Sequence, residues 1–359
     1  MLSLRRGVVV ATDPLTVEIG DARRPAWADS SLVGEVGEGD EVIVNVEALD
    51  LGLGSGGFDV VHANLTRGLR GGERPIADHV MKLNYTSLQH PVAPLELPLG
   101  GDDAGSRRPP PPVLVLPLHG HLAPAAWAAA EARPALEVGY VQTGGGALPG
   151  ALSRDVAELR DRSLLAGHIT AGPAHGAEHE AITTVGALDA AAARLDWDAI
   201  LCGPGPGILG SSTRYGHGGM AALDNAHAAL ALGLPTLISP RISGSDPRPR
   251  HRGLSHHTAT VLELLLGSVR VAVPEIELDG WPTGERAVGE ADLPSVLDAL
   301  HRVCDDRHDV AVGGVDLDGY AESGLPARTM GRTIGEDPLF FAAPLSAGRA
   351  LAEAVEASR

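Results

Sequence analysis

The chain has 359 residues, 44% hydrophobic and 21% charged, ordinary for a globular protein and long enough for two domains. Its formal net charge of -18 repels nucleic-acid phosphates and anionic lipid, which disfavours a general polyanion-binding role. Two distant cysteines without a CxxC pair argue against a disulfide framework or a thiolate zinc site, and no apolar run reaches the roughly 18 residues of a membrane span.

The opening MLSLRRGVVVATDP has no apolar stretch of signal-peptide length, so a cytoplasmic location is expected. Only 3% of residues are aromatic, so the core must be built from Ala, Val, Leu and Ile. Residues 1–98 read as a small β-barrel-like domain. Gly7–Val10, Thr16–Ile19 and Glu41–Val46 are short β-branched runs separated by the turn signals Asp13-Pro14, Gly20-Asp21 and Gly37–Asp40. Leu51–Gly57 is a Gly-rich loop. The run His79–Gln89 is strand-like and contains Lys82, the one lysine of the chain, a compact amine suited to chemistry that guanidinium cannot do. Residues 99–112 form a Pro-rich linker.

From Val113 to the end (113–359), apolar runs of strand length alternate with Ala-rich helical stretches. The strands are Val113–Leu118, Val138–Gln142, Gly167–Thr170, Ala199–Cys202, Thr236–Ser239, Val269–Val273 and Val310–Val312. The helices lie near Pro124–Arg133, Ser153–Ser163, Glu178–Leu195, Gly218–Leu232, Ser255–Leu266 and Leu293–Cys304, with a closing helix from about Ser346. This alternation predicts an α/β domain with a Rossmann-like, mostly parallel, doubly wound sheet.

Ligands of such sheets bind beyond the carboxyl ends of the strands. Ten of the fifteen histidines fall between His119 and His257, many of them just after a strand. His119-Gly120-His121 follows the first strand of the domain. Gly203–Gly207 follows the fourth and leads to Ser211-Ser212-Thr213. Gly205-x-Gly207-x-x-Gly210 matches the dinucleotide fingerprint formally, but polar and flexible residues intervene before the next helix and Pro206 removes an amide that a phosphate would use. The simpler reading is a loop in which Gly205, Gly207, Ser211, Ser212 and Thr213 hold a carboxylate or a single phosphate.

His175-x-x-Glu178-His179 has the spacing of an inverted zinc-protease motif, but it straddles a loop and a helix start, with Pro173 and Gly176 weakening the first turn. The densest cluster is Asp246–Thr258. Ser255 is the expected N-cap, which puts His256 and His257 in the first turn of a helix. There the positive helix end favours neutral imidazole. Neighbouring helix residues point about 100° apart, so one of the two histidines is expected to face a given ligand. Cys202 ends a strand and reads as a buried small residue.

At Met81–Gln89, Gly203–Thr213, Asp246–Thr258, Thr329–Arg332 and Glu336–Pro338 the chain resembles the bacterial proteins grouped as domain of unknown function 3866, nearly end to end. That resemblance implies no activity and assigns no catalytic residue. The residues themselves point to an enzyme acting on an anionic, phosphorylated or carboxylated small molecule at the strand ends. His256 or His257 would be the general base, Arg250 and Arg252 would clamp the anion, and Lys82 would reach the substrate from the first domain. A divalent metal ion, if used, is expected on the imidazoles of His119, His121, His175 and His256, with Asp246 as carboxylate. The alternative is a metabolite sensor or scaffold whose N-terminal barrel docks a partner. A homo-oligomer is compatible with either reading, and nucleic acid and membrane are not expected as partners.

Overall fold

The structure is a computed structural model, and it describes residues 1–52, 56–69, 80–96, 109–211, 213–275 and 293–358. Two compact units divide it, Met1–Ala93 and Pro94–Arg359. Most of the Pro-rich linker, the centre of the Leu51–Gly57 loop, His79 and Ser212 lie outside the described residues.

The first unit is a closed barrel. Its strands are β1 (Leu4–Thr12), β2 (Leu15–Ile19), β3 (Ala22–Trp27), β4 (Glu41–Asn45) and β5 (Asp59–Asn64), in the order β1-β2-β3-β5-β4. Alternation puts Val9, Val17, Val42, Val44 and Val61 inside. Strands β3 and β5 were not legible in the sequence. Ala22–Trp27 carries no apolar alternation and contains Pro25, and it is drawn into the barrel by pairing with β2 and β5. The run read as one strand around Lys82 is instead a hairpin of β6 (Val80–Lys82) and β7 (His90–Val92). Left-handed Leu83 and Tyr85, at φ 48 and 61, end β6 directly after Lys82, which is buried.

In the second unit eight strands form one sheet: β8 (Val113–Val115), β9 (Val138–Thr143), β10 (Gly167–Ala171), β11 (His179–Ala181), β12 (Ala199–Pro204), β13 (Thr236–Ile238), β16 (Arg270–Glu275) and β17 (Asp309–Gly314). Between β13 and β16 in sequence, β14 (Ile242–Ser243) and β15 (Gly253–Leu254) pair as a separate short ribbon. The sheet order is β11-β10-β9-β12-β8-β13-β16-β17, and each described pairing within it is parallel. Strand residues alternate between two cores. Val113 and Val115 of β8 face one layer while Leu114 faces the other, and Ile200 and Cys202 of β12 oppose Ala199 and Leu201 in the same way. Apolar residues on both faces are what a parallel sheet with helices on each side requires.

One layer contains α5 (Thr184–Arg194), α6 (Ala221–Ala231), α7 (His256–Leu264) and α8 (Leu293–Cys304). The other contains α3 (Leu122–Ala132), α4 (Arg154–Asp161), α9 (Leu317–Glu322) and α10 (Pro338–Ser358); α1 (Ser30–Val33) and α2 (Glu47–Asp50) belong to the barrel unit. Two expectations are corrected. The helix expected from Glu178 starts later, because His179–Ala181 adds β11 to the sheet edge and Thr183 caps α5 by accepting from the Gly186 amide. The closing helix begins at Pro338 rather than near Ser346, so Phe340 and Phe341 lie inside it and pack into the core despite Pro344. Among the described residues no helix is long and apolar enough to cross a membrane.

Candidate functional site

The chain leaves β8 toward β9 on one side, and from β13 it runs outward through β16 and β17 on the other. The reversal point is therefore β12-β8-β13, and the connections beyond these strand ends are where a ligand site belongs.

Two of these connections converge, and the segment Met330–Asp337 before α10 joins them. The β12–α6 connection folds back on itself. The Ser211 amide donates to the Gly216 carbonyl, Gly210 bridges to His217, and the Gly218 amide donates to the Leu209 carbonyl. Ser211 and Thr213 share a hydroxyl–hydroxyl bond of 2.7 Å and brace the turn, Ser211 through the Gly216 carbonyl and Thr213 through the Gly216 amide. Gly205 is buried and Gly207, at φ 70, is exposed. What this loop visibly does is hold its own turn and deliver His217.

The β13–α7 connection supplies the rest. Ser255 caps α7, as expected: its hydroxyl accepts from the His257 amide and bonds His251 Nδ1 at 2.7 Å. His217 stacks on His257 with ring centroids 3.6 Å apart and planes within 7° of parallel. His256 lies edge-on to both rings, and His251 meets His256 and His257 at 5.0 and 4.7 Å. So both first-turn histidines join one cluster. Their ring centroids approach to 4.4 Å although their Cα directions diverge.

Each of these imidazoles is held neutral. Burial is the main cause, assisted by neighbouring positive charge: it pushes His251 down to about 3, with Arg241 and Arg248 adding to it, and lowers His217, His256 and His257 as well. The hydrogen bonds fix two tautomers. His217 Nε2–H donates to the Arg214 carbonyl at 3.0 Å, leaving Nδ1 as a lone-pair nitrogen, buried and without a hydrogen-bond partner. His256 Nδ1–H donates to the Arg250 carbonyl at 3.2 Å, leaving Nε2.

Beside the histidines sits Arg241, 4% exposed, with Nη1 3.5 Å from His257 Nδ1. Burial lowers its guanidinium to about 10, still charged at neutral pH. Asp246 is fully buried and serves the arginines. Arg248 grips it through Nε at 2.9 Å and Nη2 at 2.8 Å, and Arg241 and Arg332 each approach to 3.5 Å. Burial alone would raise that carboxyl, but the Arg248 contacts and the charge of Arg332 hold it well below the usual range. Asp337 completes the network with Ser243, the Gly244 amide and Arg332.

The sequence-predicted metal set does not come together. His119 bonds Ser153 at 2.7 Å and the Pro204 carbonyl at 3.3 Å, whereas His121 bonds Ser239 at 2.8 Å. His175 is buried in the β10–β11 connection, paired through its backbone to Leu148 and Gly150. Asp246 is taken up by guanidinium groups. Among the described residues the one group of three or more ligand-type side chains that gathers is His217, His256 and His257, with one nitrogen from each within 4.8 Å of the others. The H-x-x-E-H spacing is not helical: His175 lies in a connection and His179 in β11. Arg250 is exposed, and Arg252 turns its Nε to the Asp246 carbonyl at 3.3 Å. Lys82 belongs to the barrel unit. Burial drives the Cys202 thiol far up, which removes it as a nucleophile.

His217, His251, Arg241 and Arg332 are members of the cluster to which pattern reading assigned no role. The available signal was positional, since His217 and Arg241 both sit in connections that leave strands at the reversal point. Three segments far apart in sequence, Gly203–His217, Arg241–Thr258 and Met330–Asp337, thus build one polar cluster. No curated protein and no solved structure matches the chain. Residues 25–348 match the family described as Protein of unknown function (DUF3866), and the chain belongs to that family.

Proposed function

We propose that this protein is an enzyme that acts on a small anionic molecule, phosphorylated or carboxylated, at the carboxyl ends of β12, β8 and β13. The observation that carries this reading is the grouping of four neutral imidazoles around the buried, charged Arg241 at the reversal point of the sheet. A neutral imidazole has a lone pair free to offer, and a buried guanidinium attracts an anion more strongly than one in water. His256 is the better general base of the pair, because its Nε2 carries the lone pair and the residue is only half buried. Arg241 takes over the clamping role that the sequence suggested for Arg250 and Arg252. The Asp246 and Asp337 carboxylates hold the arginines in place. A cytoplasmic setting fits this chemistry.

The test is a melting-temperature screen of untagged protein against inorganic phosphate, nucleotides, acyl-CoA and simple carboxylates, repeated on His256→Ala. A ligand at about a hundred times its dissociation constant adds roughly 2.7 kcal/mol, several degrees for a chain of this size. The expected result is a hit that turns over with the parent protein but binds without turnover in His256→Ala. A ligand that binds the parent without turnover, and changes its affinity for a protein partner, would favour the sensor or scaffold reading instead.

A further inference from the structure

We infer that His217, His256 and His257 form a binding site for a divalent first-row transition metal ion, with zinc the natural probe. Their ring nitrogens lie within 4.8 Å of one another although the three residues come from two separate connections. Two of the three carry the support that a ligating imidazole needs. Such a histidine donates its other N–H to a fixed acceptor, which sets tautomer and ring direction. His217 does so to the Arg214 carbonyl and His256 to the Arg250 carbonyl. Each is left with one lone-pair nitrogen, and that of His217 is buried with no hydrogen-bond partner, a costly arrangement unless something binds it.

The donor set selects the ion. Three neutral imidazoles with no thiolate suit zinc, nickel or cobalt and exclude calcium and magnesium, which require oxygen ligands. Asp246, the nearby carboxylate, is fully engaged with Arg241, Arg248 and Arg332. A set of three histidines also leaves a coordination position for water or an anion, as catalytic zinc sites do. Arg241 stands 3.5 Å from His257 Nδ1 and would attract the anion that completes the shell.

Binding requires a local adjustment. Zinc–nitrogen bonds of about 2.0–2.1 Å put tetrahedral ligand atoms about 3.4 Å apart, so the nitrogens must close in from their present spread. Imidazole ligates through an in-plane lone pair, and the parallel rings of His217 and His257 cannot both aim at one ion. Turning one ring about its outer torsion resolves this, and that torsion is broad and soft. The His256 ring, 64° and 70° from the other two planes, already approaches from a different direction.

This inference shares its location with the proposed enzyme but is read without substrate; a metal on His256 Nε2 takes up the lone pair that otherwise serves as general base, and metal-bound water would supply the base in its place. Untagged protein is dialysed against a chelator and titrated with zinc by calorimetry, then with cobalt by visible absorption. The expected result is one equivalent of zinc per chain, weakened about a hundredfold or more in His217→Ala and in His256→Ala, since each ligand supplies a share of the binding free energy. Binding should be unchanged in His301→Ala, an exposed histidine elsewhere. The cobalt spectrum of the parent protein should show low-symmetry nitrogen ligation, which requires no variant to fold. Absence of stoichiometric uptake, or uptake undiminished in both variants, overturns the site. Metal uptake without turnover of any anion leaves the site standing and removes the enzyme reading. Turnover by protein that takes up no zinc does the reverse.

Discussion

His217 and His257 lie ring on ring, 3.6 Å between centroids, although one ends a Gly-rich loop and the other sits in the first turn of α7. Stacked imidazoles at this spacing cannot both carry charge, because two imidazolium ions so close and so buried would repel strongly. The contact depends on Gly219. A Cβ there would lie 3.0 Å from His257 Nδ1 and 3.1 Å from His217 Nδ1.

Gly219→Ala is therefore the sharpest probe of the cluster. Gly219 does not occupy the left-handed region, so alanine fits the backbone, and the stability change should stay within about 1 kcal/mol. The added methyl presses on both nitrogens and displaces the rings. Ligand or zinc binding should fall at least tenfold while the thermal midpoint hardly moves. A variant that binds normally would show that these two rings are not the working part of the site.

Asp246→Asn tests the arginine scaffold. The carboxylate is buried and faces Arg241, Arg248 and Arg332, so neutralising it leaves three guanidinium groups under-compensated. Breaking a buried pair from one side costs about 3–5 kcal/mol. The pH dependence has a definite sign. The folded-state pKa of Asp246 lies below its unfolded value, so its contribution is complete above the ordinary carboxylate range and is lost as pH falls through the folded value. The stability gap between parent and variant, from urea midpoints, should thus be widest near neutrality and shrink in acid. A gap that grows in acid would contradict the assignment.

These two predictions concern residues that the sequence revealed unequally. The α/β pattern was legible because strands such as β8 and β12 are apolar on both faces and Gly- and Pro-rich connections punctuate them. The Ser255 cap, and with it the first-turn position of His256 and His257, followed from local chemistry alone. Barrel strand β3 was hidden because its pairing, not its own pattern, makes it a strand. The partners of the site were hidden for the same kind of reason. That His217 meets His257, or that Asp246 meets Arg332 rather than a metal, depends on strand order, which no local pattern encodes. Histidine count pointed to the region in which four imidazoles gather, whereas His119, His121 and His175, grouped by their proximity to strand ends, bond to separate partners.

Gly348→Ala should separate folding from function. In the layer opposite the cluster, α10 packs against α3 so closely that a Cβ on Gly348 would lie 2.1 Å from the Ala125 carbonyl oxygen. That contact is with backbone, so one of the helices must move. Overpacking of this kind costs about 1–3 kcal/mol. The urea midpoint should fall with an unchanged slope, and ligand affinity of the folded protein should be unaffected.

Asn64→Ala makes the corresponding test in the barrel. The Asn64 amide donates to Asp40 at 3.0 Å and to the Glu35 carbonyl at 3.2 Å, and its oxygen accepts from the amides of Thr66 and Arg67. Removing it strands one buried group, Asp40, whose carboxyl burial would raise but which the Gly37 amide, Asn64 and Arg67 hold low. Each unsatisfied buried group costs about 1–3 kcal/mol. The barrel and the α/β unit have separate hydrophobic cores, so the loss should be local. Amide hydrogen exchange should accelerate in β1, β4 and β5 and stay at parental rates in β8, β12 and β13. Equal acceleration across both sets of strands would mean that the two cores unfold as a single cooperative unit.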